Sequence, residues 1–216
     1  VLGRSAYCER MLQNELQFGC SQYVIFASGY DTFAVRNAET RLSVYELDLP
    51  EVLEDKKKRI REAGLVSCAH YIPCDLRKKD WVSQLYEKGF DPKERSFGSM
   101  LGITYYMSKS DWAELLKEVS GIMSKGSAVC FDYQSDQGGR EAEVNQKLAA
   151  GAGEAMKAAY SYREMEELLD AAGFLIYEHL NADEMTQQYF SGYNASSPQH
   201  PIHAPEGVNY IIAAKE

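Results

Sequence analysis

The chain is 216 residues long, 45% hydrophobic and 25% charged, which suits a globular chain with room for one sizeable α/β core. Its formal net charge is −9 and its pI about 5.1; an acidic surface repels phosphate backbones, so nucleic acid is not an expected partner. No apolar run approaches 18 residues, so no membrane span is expected.

The chain opens on Val1, not Met, with no signal-peptide pattern. It moves straight into apolar positions spaced for a helix from Leu2 to Phe18, stopped by Gly19. The expectation is a single domain over residues 1–216 that lacks part of an N-terminal cap. Tyr23 to Ala27 is an unbroken apolar run, as in a strand buried on both faces. Leu42 to Leu47 reads as a second strand. Pro50 opens a helix to about Ala63, with Gly64 beyond it. This helix carries the basic run Lys56-Lys57-Lys58-Arg59-Ile60-Arg61. Glu54 with Lys58 and Asp55 with Arg59 stand four apart, so the run reads as a solvated helix face.

Cys68 to Pro73 is a third strand, Trp81 to Lys88 a short helix, and Phe97 to Tyr106 contains a fourth strand. Ser108 and Asp111 have capping-box spacing before a helix from Trp112 to Met123. Gly126 turns the chain into a fifth strand, Ala128 to Tyr133. Gln134 to Ala158 is small, polar and glycine-rich. Ser161 and Glu164 form a second capping box, and Met165, Leu168, Leu169 and Ala172 give that helix a core face ending at Gly173. Phe174 to Leu180 is a sixth strand and Val208 to Ala214 a seventh. Between them Asp183 to Phe190 reads as one short helix and Tyr193 to Gly207 as loop. Strands alternating with helices predict a parallel doubly wound sheet. With little helix before it, the seventh strand is expected to be antiparallel. The cysteines, Cys8, Cys20, Cys68, Cys74 and Cys130, are odd in number and form no CxxC. They read as reduced thiols of a cytoplasmic protein, with no metal site.

Ligands of open α/β sheets sit outside the carboxyl ends of strands. The first strand ends in Ala27-Ser28-Gly29-Tyr30-Asp31, where Gly29 permits close backbone approach or positive φ. The second ends in Glu46 and Asp48, an acid suited to a pair of ribose hydroxyls. The third ends in Cys74-Asp75-Leu76, a carboxylate for an adenine amino group beside an apolar side chain for the ring. After the fourth come Leu101-Gly102 and Tyr105-Tyr106. Singly, each reads as a turn or a helix cap. Together they are spaced as an adenosine requires.

The segments "QYVIFASGYDTFAVR", "VYELDLPEVLEDKKKRI", "IPCDLRKKDW", "GFDPKERSFGSMLGITYYMS" and "GSAVCFDY" resemble the leucine carboxyl methyltransferase family in its broad sense. The resemblance runs in order over nearly the whole chain. It implies a Rossmann-like class I methyltransferase sheet and S-adenosylmethionine as cofactor. It implies that Arg4, in "GRS", meets the methionine carboxylate, its planar fork suiting that job. Ala27-Ser28-Gly29 replaces the family's Gly-x-Gly against the cofactor. Asp48, supported by Glu46, matches the ribose acid, and Asp75-Leu76 the adenine pair. Many members have Ala-Glu-Gly after the fourth strand; here it is Met100-Leu101-Gly102, without the glutamate. Asp31 is then expected to carry more of the ammonium recognition.

The activity expected is O-methylation of a small-molecule hydroxyl or carboxylate. The alternatives are a protein C-terminal carboxyl methyltransferase and a non-catalytic nucleoside-binding module. A nicotinamide enzyme would want Gly-x-Gly-x-x-Gly, and only Gly29 stands in that loop. Tyr105, Tyr106, Tyr133, His179, His200 and His203 are candidates for the acceptor side, and none is assigned as a base.

Overall fold

In the computed structural model, which describes residues 2–137 and 156–216, the apolar runs form a seven-stranded sheet in the order β3-β2-β1-β4-β5-β7-β6. The strands are β1 (Gln22–Phe26), β2 (Ser43–Asp48), β3 (His70–Pro73), β4 (Ser96–Met100), β5 (Ala128–Gln134), β6 (Phe174–Leu180) and β7 (Val208–Lys215). Every residue of β1, β4 and β5 is buried, because helices cover both faces of the sheet's centre. The helices are α1 (Leu2–Gln17), α2 (Phe33–Arg36), α3 (Pro50–Glu62), α4 (Trp81–Glu87), α5 (Lys109–Ile122), α6 (Tyr162–Ala172) and α7 (Ala182–Ser196). Alternation along each strand divides the core in two. Val24, Phe26 and Phe131 face Trp81 of α4, Trp112 of α5 and Met165 of α6. Tyr23, Ile25 and Cys130 face Tyr7 and Leu12 of α1, Phe33 of α2 and Met185 of α7.

β7 pairs antiparallel with both β5 and β6, as expected, but a longer helix than expected precedes it. Asn181 and Glu184 form a reciprocal capping box that starts α7, and the helix continues through Tyr193 to Ser196, residues expected to be loop. The Ser161–Glu164 box closes in both directions. At α5 only half of the expected box forms: Ser108 Oγ accepts from Asp111 N–H at 3.1 Å, and Asp111 is one methylene shorter than the Glu that would reach back. β3 starts at His70, since the Cys68 N–H bonds the Ala34 carbonyl, outside the sheet. Most of the glycine-rich segment lies outside the described residues. All five cysteines are free thiols. Among the described residues, no helix is long and apolar enough to cross a membrane.

Candidate active site

Parallel pairing of β1, β2, β3 and β4 sends the loops after them to one edge of the sheet. Two cavities of about 630 and 580 Å³ adjoin there, with Arg4, Ala27 and Leu101 lining both. Ser28, Gly29 and Asp31 line the first; Asp48, Asp75 and Leu76 line the second. The structure thus brings together every expected cofactor-site residue except Glu46.

Ala27 is left-handed at φ 50, the one non-glycine with positive φ among the described residues. Gly29 has φ 46, and a Cβ built on it would meet no protein atom within 4 Å. The Gly29 N–H donates to Asp48 Oδ2 at 2.6 Å, and the Leu49 N–H to Asp48 Oδ1 at 2.7 Å. Asp48 therefore fastens the β1 loop to the end of β2 and does not cap α3. Each carboxylate oxygen has two acceptor positions, so capacity remains toward the cavity. Asp31 Oδ1 accepts the Phe33 N–H at 2.7 Å and so starts α2, while the residue still lines the first cavity.

Glu46 requires a correction. It is 1% exposed and lines neither cavity, because its strand position turns it toward α3. There Lys56, itself from the expected solvated run, donates to Glu46 Oε2 at 2.5 Å. Burial pushes the Glu46 carboxyl up; Lys56 and the Ser28 hydroxyl oppose that rise. Of the surface pairs expected on α3, Asp55–Arg59 forms at 2.6 Å, whereas Lys58 turns to Glu62 at 3.9 Å.

Asp75 is gripped by Arg77, whose Nε and Nη2 donate to Oδ1 and Oδ2 at 2.8 and 2.7 Å and hold its carboxyl down at about 2. It caps no helix, since Asp80 stands at the N-cap of α4. Leu76 packs part-buried against the core. Burial pushes the neighbouring Cys74 thiol up to about 12.

Arg4 projects from the first turn of α1, and its Nη1 donates to Asp132 Oδ2 at 3.2 Å. Burial disfavours the Arg4 charge, but Asp132 and Tyr105 outweigh it and hold the guanidinium above its ordinary value. Asp132, on β5, went unremarked in the sequence. An acid inside the apolar run "AVCFDY" was the signal, at the one parallel strand end not weighed for ligands. Tyr105, in a 3₁₀ turn (Thr104–Tyr106), also bonds Asp132; burial, then that carboxylate, pushes its phenol well up. Tyr106 lines the second cavity. Tyr133 and His179 lie apart from these residues: Tyr133 OH meets His179 Nε2 at 3.0 Å, and His179 lines a separate cleft of about 450 Å³ with Tyr162. His200 and His203 are exposed before β7. Among the described residues, no cluster of acids, histidines and cysteines is placed to hold a metal ion.

Known proteins share both sequence and fold with this chain. The leucine carboxyl methyltransferase family profile matches residues 1–120. A Bacillus subtilis (strain 168) protein, named as a candidate S-adenosyl-L-methionine-dependent methyltransferase, is 35% identical over 225 residues, covering 100% of this chain and 72% of its own. A Mycobacterium marinum protein with the same description is 33% identical over 134 residues, covering 61% of this chain and 44% of its own. Among solved structures, a candidate methyltransferase from Thermobifida fusca YX superposes with a TM-score of 0.73 at 14% identity, over 100% of this chain and 81% of that one. Magnesium protoporphyrin IX methyltransferase from Synechocystis PCC 6803, with bound SAH, gives 0.63 at 9% identity, over 100% and 84%. At such identities the two structures show the fold alone.

Proposed function

The chain belongs to the leucine carboxyl methyltransferase family, and from that premise we propose that it methylates an oxygen of a small acceptor, a carboxylate in preference to a hydroxyl. It is an S-adenosylmethionine-dependent methyltransferase. The residues present fit that cofactor. Arg4 would hold the methionyl carboxylate, Asp31 the ammonium, Asp48 the ribose hydroxyls and Asp75 the adenine amino group, with Leu76 against the ring. The loop at Ala27–Gly29 lies between the two cavities, and open space stands before Gly29. The cofactor supplies a methyl group on a sulfonium, a leaving group that needs no proton. The protein's own part is to bind, align and exclude water.

Tyr105 carries the acceptor reading. Its hydroxyl is bonded to buried Asp132 and its pKa is driven up, so it is no base at neutral pH. His179 stands in the separate cleft and is bonded to Tyr133. An ionised carboxylate attacks a sulfonium methyl without a base, whereas a hydroxyl needs one. A protein's C-terminal carboxylate meets the same chemical requirement, and the family's name favours it as the second reading.

Calorimetry with S-adenosylmethionine, its demethylated product and NAD tests the donor. Micromolar binding of the first two and none of NAD is expected; no binding of either nucleoside would overturn the reading. Asp48→Ala should weaken both by roughly 1.5–3 kcal/mol, as for charged hydrogen bonds lost. The acceptor is tested with methyl-labelled cofactor and panels of small acids, phenols and peptides. An ester releases its label as methanol in mild alkali. An alkali-stable product would exclude the carboxylate.

A further inference from the structure

We propose that Asp132 is a positioning residue of the methyl-donor site, fixing the Arg4 guanidinium where the amino-acid end of the cofactor is recognised; this rests on the donor reading above. Asp132 is 1% exposed and takes three donors, one from α1 and two from the segment after β4. Its Oδ1 accepts the Gly102 N–H at 2.6 Å, and its Oδ2 accepts Arg4 Nη1 at 3.2 Å and the Tyr105 hydroxyl. The Asp132 carbonyl accepts Thr104 Oγ1 at 2.7 Å. One carboxylate thus joins α1, the loop after β4 and the 3₁₀ turn.

A buried carboxylate is costly even when well bonded, and an apolar residue would serve β5 as well for packing. What the acid adds is placement at the cavities. Arg4 stands in the wall shared by both, its side chain 29% exposed, and only Nη1 is bonded to Asp132. The rest of its donor fork is not taken up by Asp132. Gly102 is fitted to that guanidinium. It has φ 71, and a Cβ there would stand 2.7 Å from Nη1 and 2.8 Å from Nη2. Leu101, beside it, brings no charge. Asp132 is therefore the acid that orients Arg4 from behind, without itself lining either cavity.

Two opposed effects follow from Asp132→Asn. Arg4 loses a neutralising neighbour and attracts an anion more strongly, yet it also gains rotamer freedom that binding must then remove. Arg4 is partly exposed, so the added charge is screened, and the loss of placement wins. The test compares two ligands: S-adenosylhomocysteine, which carries the amino-acid end, and methylthioadenosine, which lacks it. Asp132→Asn should weaken the first about tenfold and the second less than about twofold. Arg4→Gln should show the same selectivity, and the double variant should lose no more than either single one. Equal losses for both ligands, tighter S-adenosylhomocysteine binding, or additive losses in the double variant would overturn the proposal. If Asp132→Asn does not fold, Tyr105→Phe decides, since it removes one tether and leaves the carboxylate. It should weaken S-adenosylhomocysteine selectively, by less than about threefold, and non-additively with Arg4→Gln; additive loss would overturn the role. A wild-type chain that binds neither ligand would refute the donor reading itself, which is a different result.

Discussion

Ala27 occupies a left-handed position that costs an L-residue about 1–2 kcal/mol. Its methyl group packs part-buried against the core, which returns some of that cost. Ala27→Gly would relieve the backbone, but it would free the unfolded chain by about 0.4–1 kcal/mol and lose the methyl contact. Its stability should therefore move by less than about 1 kcal/mol in urea titrations. Gly29→Ala is different. Its φ of 46 penalises any Cβ, and the space before it is cavity, not core. It should cost about 1 kcal/mol of stability and, in calorimetry, weaken nucleoside binding as well. Gly29→Ala with full affinity would place the ligand away from this loop. The sequence exposed the loop's glycine and acids because their types are informative at strand ends. It did not expose Ala27's conformation, since alanine carries no signature of positive φ.

Helix α3 shows what spacing alone leaves open. Its charges at four-residue intervals satisfy the pattern of a solvated face, yet Lys56 is 3% exposed while Lys58 and Arg59 stay in water. A lysine stem is apolar enough to enter a core, and only a buried acid opposite decides which lysine does so. That acid, Glu46, lies ten residues earlier on β2, beyond the reach of any helical pattern. Lys56→Met should cost about 3–5 kcal/mol, because it leaves Glu46 unpaired in the core. Glu46→Gln combined with Lys56→Met should regain most of that loss, since no buried charge is then left uncompensated. Chemical denaturation of the two variants checks both values, and equal losses would mean that packing dominates the pair. The last strands make a related point. β7 is antiparallel as expected, although α7 is a full helix whose start was marked by Asn181 and Glu184 at capping-box spacing. Strand direction was right while the helix-poor premise behind it was not.

Across the whole molecule, the alternation of apolar runs and amphipathic segments was enough to give the strands and the edge where the loops meet, but not α2, whose four residues are too few to show a helical period. Contacts between distant segments were not legible. Arg4 and Asp132 are 128 positions apart; Glu46 and Asp48 share a face of β2, and only Asp48, the strand's last residue, reaches the cavity. The same burial that hides such contacts predicts how the fold responds to alkali. Burial pushes the Cys20 thiol up to about 11 and the Cys74 thiol up to about 12. An unfolded thiol ionises near 8.5. Both folded values are raised, so this contribution is intact below about pH 8.5 and is lost as pH rises toward 11–12. Each thiol removes about 1.4 kcal/mol per pH unit in that window. From pH 8.5 to 10 the two together should remove about 3 kcal/mol. Above pH 10 the phenols of Tyr133, Tyr160 and Tyr210, each pushed to about 12 mainly by burial, deepen the fall. Urea unfolding under reductant at pH 7.5, 8.5 and 10 measures this. Stability should be nearly level across the first two and drop at the third, and Cys74→Ala should shrink that drop in part, since buried Cys130 is also pushed well up. A level profile to pH 10 would mean that the unfolded chain keeps these thiols as sheltered as the fold does.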